Sequence, residues 1–260
     1  MRYDLSIEPM EWSYSRLTAF EDCPYMWLMR YILRDEYNIV PQSKFFAQYG
    51  SLMHFILQQY LTGVLPKKSL VAYYMSHFVS DITEKAPSRK IYLDYMEQGR
   101  QYLKTLSFPA RKIIKVEDEM KFEFAGHSFI GFLDVLSEDD RGKLYITDHK
   151  SRALKPRSQR VKPTQSDREL DQYLRQLYIY ASAVFQLYGR YPDFLEFNCF
   201  RTQTWICEPF QYERMVEVEV WAARLIEKIT ATDDWYANLN FWFCKHLCDV
   251  ATECEYEEFL

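Results

Sequence analysis

The sequence predicts an α/β protein in which helices precede and follow a group of strands, and three observations lead to this prediction. Three consecutive strand-like runs lie within residues 113–146, where Val116, Phe122 and Phe124 fall in alternating or aromatic patterns. Segments with helical patterns precede and follow these strands. The chain has 260 residues, of which 48% are hydrophobic, and this suits one large domain with insertions.

The elements before the strands are predicted to be helical. Residues 13–61 form helices, with Ser13 or Ser15 able to cap the first one and Cys23-Pro24 interrupting it. Two more helices, separated by Lys85-Ala-Pro87, form an inserted helical subdomain. The predicted ranges are 69–82 and 88–106 for these helices and 63–109 for the insertion. After the three strands the sequence predicts a helix, two strands and a long helix, over 166–188, 193–201, 204–210 and 212–230.

The second and third strands form a hairpin that carries acidic residues. Asp134 lies in one strand, and Asp148-His149-Lys150 ends the next. Because strand side chains alternate, Asp148 and Lys150 share a face, and the adjacent strand can present Asp134 to the same place. Two carboxylates and an ammonium are costly to bury without a cation or an anionic substrate, and oxygen ligands suit Mg²⁺ or Mn²⁺. The alternative is a polar hairpin end with a surface salt bridge, since Asp-x-Lys occurs about once by chance in a chain of this length.

Two helices add further polar candidates. Gly50 precedes a predicted helix over residues 51–61 that carries His54. Gln176 and Tyr180 are four residues apart on another predicted helix, which places them on one face. Each of these side chains could instead be an ordinary polar residue of an amphipathic helix.

The order of these motifs resembles a known family. Gly-x-x-x-His, then Asp, then Asp-x-Lys, then Gln-x-x-x-Tyr is similar to the RecB-like branch of the PD-(D/E)XK nuclease superfamily. The opening Ser13-Tyr-Ser15-Arg-Leu17, followed by Cys23-Pro24 and Trp27, resembles the same branch. The resemblance implies a restriction-endonuclease-like core, a mixed sheet flanked by helices, in a single nuclease domain over residues 1–260.

The resemblance also implies roles for the candidate residues. His54, Asp134, Asp148 and the backbone carbonyl of His149 would hold the divalent cation, and the imidazole favours Mn²⁺ somewhat over Mg²⁺. Lys150 would position or activate the attacking water. The catalytic set would be Asp134, Asp148, Lys150, Gln176 and Tyr180, with the last two contacting nucleic acid or bracing the site. Glu117 or Glu119 could assist as an auxiliary acid, and the sequence does not choose between them.

Four of the six cysteines form a second set. Cys23 stands near the N-terminus, and Cys244, Cys248 and Cys254 crowd a C-terminal segment over residues 241–260. One early and three late cysteines resemble the iron–sulfur subgroup of these nucleases, found in AddB-type subunits and CRISPR adaptation exonucleases, which implies a [4Fe–4S] cluster. The three-residue gap between Cys244 and Cys248 departs from the usual two. A structural zinc ion or unrelated buried thiols are the alternatives, and Cys199 and Cys207 are expected to be core or surface thiols.

Charge is uneven along the chain. The net charge of −5 argues mildly against nucleic-acid binding. Directly after the Asp148 strand, however, residues 150–162 contain six basic residues and no acid. This segment is either a solvated loop or a phosphate-contacting one. The predicted DNA-binding residues beyond Lys150 are Arg152, Lys155, Arg157, Arg160 and Lys162.

The residue chemistry predicts a metal-dependent nuclease, and the resemblance implies an exonuclease that hydrolyses single-stranded or frayed DNA ends in recombination, repair or DNA processing. The alternatives are a non-catalytic iron–sulfur protein that binds or scaffolds DNA ends, and an iron–sulfur redox or sensor protein. A helicase, a recombination protein or a CRISPR adaptation protein could be the partner. No apolar run of membrane-spanning length and no secretory signal is found, so no membrane partner is expected. A cytoplasmic location in a bacterium or archaeon, or a phage-encoded protein, is expected.

Overall fold

The computed structural model describes residues 10–256. The start of the chain, where no secretory signal was predicted, and the last four residues of the 241–260 segment lie outside the described residues. None of the described helices is both long enough and apolar enough to cross a lipid bilayer. The described chain forms eight α-helices and five strands. The helices are α1 (Tyr14–Asp22), α2 (Pro24–Tyr31), α3 (Phe45–Leu61), α4 (Leu70–Asp81), α5 (Arg89–Thr105), α6 (Gln165–Tyr188), α7 (Tyr212–Ala231) and α8 (Phe241–His246).

The five strands form one mixed sheet, in the order in which they occur along the chain. The first three strands pair antiparallel as a meander, β3 pairs parallel with β4 across the α6 connection, and β5 returns antiparallel beside β4. The predicted α/β class and the predicted meander are therefore confirmed. The strand bounds are β1 (Lys112–Phe124), β2 (His127–Glu138), β3 (Leu144–Lys150), β4 (Phe194–Cys199) and β5 (Thr204–Pro209).

Buried apolar residues form two separate clusters. The larger one joins α1, α2, α6 and α7 to the sheet, and Trp27 lies at its centre with no exposed surface. The smaller one joins α3, α4 and α5, and it reaches the sheet region through Phe200. The helices of the predicted insertion thus pack on α3 through apolar contacts of their own.

Most predicted element ends lie within a residue or two of those observed, and one differs more. The helix that carries His54 begins at Phe45 rather than at Ser51. Gly50 does not end the preceding turn, because the apolar residues Phe45, Tyr49 and Met53 continue at helical spacing and are buried. The additional turn anchors α3 in the smaller apolar cluster and so fixes the helix that presents His54.

The sequence correctly predicted the cap of the first helix and the break between the first two helices. Ser13 caps α1 by accepting from the Arg16 N–H, and Cys23 ends α1 and begins α2, with Pro24 at the first helical position. Before α1, Trp12 forms a parallel bridge with Phe129 of β2, which the sequence did not predict. The N-terminal segment is therefore attached directly to the strand that carries Asp134.

Candidate active site

The two strand carboxylates lie beside each other at the end of the β2–β3 ladder. The last paired residues are Val135 and Thr147, and Asp134 and Asp148 are the next residues along each strand. Both carboxylates are buried, with only 7% and 3% of each residue exposed. On β3, Asp148 Oδ2 lies 2.8 Å from Lys150 Nζ, as strand alternation predicts for residues two apart.

The backbone of His149 connects Asp134 to His54. The His149 N–H donates to Asp134 Oδ2 at 2.6 Å, and the His149 carbonyl oxygen lies 2.9 Å from His54 Nε2. His54 comes from α3, so the backbone of one residue of β3 holds side chains from a strand and from a helix. The structure therefore places the predicted His149 carbonyl against the imidazole of His54.

The side chain of His149 faces away from this contact and serves as an anchor. Its Nδ1 lies 3.1 Å from Asn198 Nδ2, and Asn198 also donates to the hydroxyl of Tyr102 at 2.6 Å. Burial lowers the pKa of His149 to about 4, which keeps the ring neutral. The contacts tie β3 to β4 and to α5 of the helical insertion. Sequence reasoning missed Asn198 and Tyr102, which lie far from His149 along the chain.

His54, Glu117 and Asp134 form a compact group of possible metal ligands. His54 Nδ1 lies 3.5 Å from Glu117 Oε1 and 3.5 Å from Asp134 Oδ1. One ligand atom from each residue falls within 4.8 Å of the others. Glu117 has φ of +48°, a left-handed conformation that is unusual for a side-chain-bearing residue in a strand and costs on the order of 1–3 kcal/mol. Of the two acids that the sequence left open, Glu117 reaches the site, whereas Glu119 is exposed.

The surroundings of the two carboxylates shift their pKa values in opposite directions. Burial acts to raise the pKa of Asp134, but His54 and then His149 outweigh it and lower that pKa to about 2. Burial raises the pKa of Asp148 to about 6, against the opposing charge of Lys150. Burial acts to lower the pKa of His54, but Asp134 and Glu117 raise it to about 10. Without a cation, a proton on His54 therefore balances the charge on Asp134.

Lys150 begins a chain of polar contacts that leads to α6. Its Nζ donates to Gln176 Oε1 at 2.7 Å, and Gln176 Nε2 lies 3.0 Å from the hydroxyl of Tyr180. Burial acts to lower the pKa of Lys150, but the charge of Asp148 outweighs it and raises that pKa, so the amine stays protonated. Tyr180 packs against Gly131 of β2, where a Cβ would lie 2.5 Å from its ring. These contacts hold the Lys150 ammonium beside Asp148.

The donor set suits a small divalent cation. Carboxylate oxygens are the ligands that Mg²⁺ and Mn²⁺ prefer, and an imidazole favours Mn²⁺. His54 has its Nδ1 directed at the carboxylates, while its other nitrogen contacts a backbone carbonyl, as metal-binding histidines commonly do. The residues present therefore fit the divalent cation that the sequence predicts.

The four predicted cysteines also come together. Cys23, Cys244, Cys248 and Cys254 line one pocket between α2 and the C-terminal segment. Cys23 Sγ additionally accepts from the backbone N–H groups of Met26 and Asn238, each at 3.4 Å. The remaining two thiols lie elsewhere, with Cys199 buried in the larger apolar cluster and Cys207 exposed on β5.

The basic residues after β3 differ in their surroundings. Arg157 pairs with Asp171 and Glu208, both at 2.7 Å, and is half-buried. Arg152 pairs with Glu169 and lies over the ring of Tyr173, which Lys150 also approaches. The other three predicted DNA-binding residues of this segment are exposed, namely Lys155, Arg160 and Lys162.

The protonation of His54 makes cation binding dependent on pH. A cation must displace the imidazole proton, so we expect Mn²⁺ affinity to rise about tenfold per pH unit between about pH 7 and 9. Calorimetric titrations in two buffers of different ionisation enthalpy would measure about one proton released per site. His54→Gln should bind Mn²⁺ more weakly and release no such proton. Affinity independent of pH in the wild-type protein would contradict this prediction.

Comparison with known proteins identifies the family of this chain. The model that describes the PD-(D/E)XK nuclease superfamily matches residues 11–255. A solved structure from Eubacterium rectale, whose printed name is "Putative exonuclease", aligns with 94% of this chain and 87% of its own, at 14% identity and a TM-score of 0.49. The structure of SSO0001 aligns with 79% and 95% of the two chains, at 17% identity and a TM-score of 0.31. No curated protein matches the chain. Because the superfamily model spans nearly the whole sequence, the chain belongs to the PD-(D/E)XK nuclease superfamily.

Proposed function

We propose that the protein is a divalent-metal-dependent deoxyribonuclease, and more specifically an exonuclease that acts on single-stranded or frayed DNA ends. The observation that carries the proposal is the convergence of two buried aspartates, Asp134 and Asp148, with the partly exposed His54 and Lys150. Buried carboxylates of this kind need a cation or an anionic substrate for balance. The preference for ends is drawn from the resemblance to RecB-like nucleases.

The proposed mechanism assigns each polar group a task. The divalent cation supplies Lewis acidity to the hydrolysis of a phosphodiester. Asp134, Asp148 and His54 would hold it. Lys150 is held 2.8 Å from Asp148 as an ammonium, so it acts as a donor that orients water or neutralises charge on the phosphate.

Gln176 and Tyr180 have a supporting task in this proposal. The side-chain oxygen of Gln176 accepts a hydrogen bond from the Lys150 ammonium, and its side-chain nitrogen donates to the hydroxyl of Tyr180. Both residues line an open pocket with the start of α1, including Ser13 and Ser15. We propose that they brace Lys150 and that this pocket admits the nucleic acid.

The activity can be tested with single substitutions that remove one charge each. Asp134→Asn, Asp148→Asn and Lys150→Ala should each lower Mn²⁺-dependent cleavage of labelled single-stranded DNA by more than about a hundredfold, because no neighbour replaces the lost charge. Asp140→Asn, in the exposed β2–β3 turn, is the matched control and should cleave at the wild-type rate. DNA binding without any cleavage by the wild-type protein would instead favour a non-catalytic end-binding protein.

The four clustered cysteines are proposed to hold a [4Fe–4S] cluster. All four line one pocket, and the N–H groups that contact Cys23 Sγ would stabilise a thiolate there. Sulfurs on one tetrahedral zinc ion lie about 3.8 Å apart, given Zn–S bonds of about 2.3 Å. Among the described residues, no three cysteines bring their sulfurs within 4.8 Å of one another. Each thiolate of a [4Fe–4S] cluster binds a different iron, and the four thiols around this pocket supply the four ligands.

The cluster proposal has a direct test. Protein purified without oxygen should be brown and carry about four irons per chain, measured by elemental analysis. Cys23→Ser should bleach the colour and lower the melting temperature, because Cys23 joins α2 to the C-terminal segment. Cys199→Ser should keep the colour, since Cys199 lies outside the pocket. Colourless protein with one zinc per chain would replace the cluster with a structural zinc site.

The exposed basic residues after β3 are proposed to contact DNA phosphates. Replacing Lys155, Arg160 and Lys162 with Ala should weaken single-stranded DNA binding and reduce its salt slope by about 0.7 for each lost phosphate contact. Fluorescence anisotropy at several salt concentrations measures that slope. Arg157→Ala is the contrasting variant. It should mainly lower stability, because Arg157 already pairs with two carboxylates. An unchanged slope in the triple variant would show that the segment is solvated surface and does not contact DNA phosphates.

The remaining assignments follow the same proposal. We propose one nuclease domain over residues 1–260, with 63–109 as its helical insertion and 241–260 as its cluster-binding segment. Reduced thiols and the DNA substrate favour a cytoplasmic location. A partner with helicase, recombination or CRISPR adaptation activity would supply the DNA ends.

A further inference from the structure

The two nitrogens of His54 face different partners. Nε2 lies 2.9 Å from the His149 carbonyl, an acceptor, so Nε2 carries a hydrogen. Nδ1 is directed at Asp134 and Glu117 instead, at 3.5 Å from each. A cation bound by His54 in this orientation is therefore bound through Nδ1, on the side where both carboxylates lie.

Glu117 reaches that side through an irregularity of β1. Its neighbours Val116 and Asp118 pair with Val135 and Leu133, so Glu117 stands across from Asp134 in the sheet. At φ of +48° its backbone departs from the strand conformation there. Its side chain is 23% exposed, and its carboxylate contacts the imidazole. Solvent thus retains access to the space between the three side chains.

The other acids nearby do not take this place. Glu119 lies opposite Phe132 in the regular part of the ladder and is exposed. Asp148 has one oxygen at 2.8 Å from Lys150, on the side of α6. Among the described residues, the group that brings three ligand atoms within 4.8 Å is His54, Glu117 and Asp134.

We propose that Glu117 is a direct ligand of the catalytic cation, together with His54 Nδ1 and Asp134. The His149 carbonyl contacts Nε2 and thereby orients the imidazole toward this group. This inference rests on the proposed metal-dependent activity. It adds Glu117 of β1 to the ligands already proposed, Asp134, Asp148 and His54.

The experiment compares matched substitutions by direct Mn²⁺ binding. Free Mn²⁺ is counted by electron paramagnetic resonance during titration of the purified full chain, and the Mn²⁺-induced rise in melting temperature is recorded in parallel. Glu117→Gln should weaken Mn²⁺ binding at least tenfold and reduce the thermal shift, and Glu117→Asp should recover part of both. Glu119→Gln is the control on the same strand and should bind within about twofold of wild type.

A glycine variant at position 117 separates the loss of a metal ligand from a change in the stability of the fold. Glu117→Gly should melt at a higher temperature than Glu117→Gln without metal, because glycine adopts positive φ without strain, while Mn²⁺ binding stays weak in both. Unchanged Mn²⁺ affinity in Glu117→Gln, with affinity lost in Asp134→Asn, would overturn the role of Glu117 and leave the nuclease proposal intact. No Mn²⁺ binding by the wild-type chain would overturn both.

Discussion

The candidate active site depends on the backbone N–H and carbonyl groups of a single residue, His149. The ladder between β2 and β3 ends at Val135 and Thr147, so the edge of β3 that follows has no backbone partner on that side. A buried N–H and a buried carbonyl must find partners elsewhere. The Asp134 carboxylate accepts from the N–H, and His54 Nε2 meets the carbonyl. The end of one ladder thereby fixes two side chains from two other elements, and the buried, neutral ring of His149 holds the arrangement against β4.

Burial and charge then give the two aspartates different properties. Asp134 lies between a cationic imidazole and a backbone donor, and its pKa falls to about 2. Burial raises the pKa of Asp148 to about 6, and its counter-charge is the Lys150 ammonium, two residues further along the same face of β3. A site of this kind costs stability in the metal-free protein, because charges are held in a water-poor place and Glu117 adopts a strained backbone. A bound cation would offset that cost, which is why metal binding and stability should change together.

Periodicity in the sequence was sufficient to predict the parts of the site that lie on one regular element. Two-residue alternation predicted the contact of Asp148 with Lys150, and four-residue spacing predicted that of Gln176 with Tyr180. The order of strands and helices was predicted for the same reason. Glu117 could not be selected, because its position depends on a local departure from strand geometry that its sequence does not signal. Asn198 and Tyr102 were missed because their contacts join residues far apart along the chain, where periodicity carries no information.

An aromatic stack links α2, whose residues line the cysteine pocket, to β2, the strand that carries Asp134. Trp27 of α2 stacks against Trp235 at 5.5 Å and against Trp12 at 6.3 Å, and Trp12 bridges to Phe129 of β2. A metal group in the pocket would therefore hold α2 and the C-terminal segment together beside this stack. Strand β2 is also held independently, by β1 along almost its full length and by β3 at its end. Loss of the metal group should consequently loosen α2 and the C-terminal segment first, while Asp134 stays in place. This separation of the two regions is consistent with a structural task for the cysteines and a chemical one for the carboxylates.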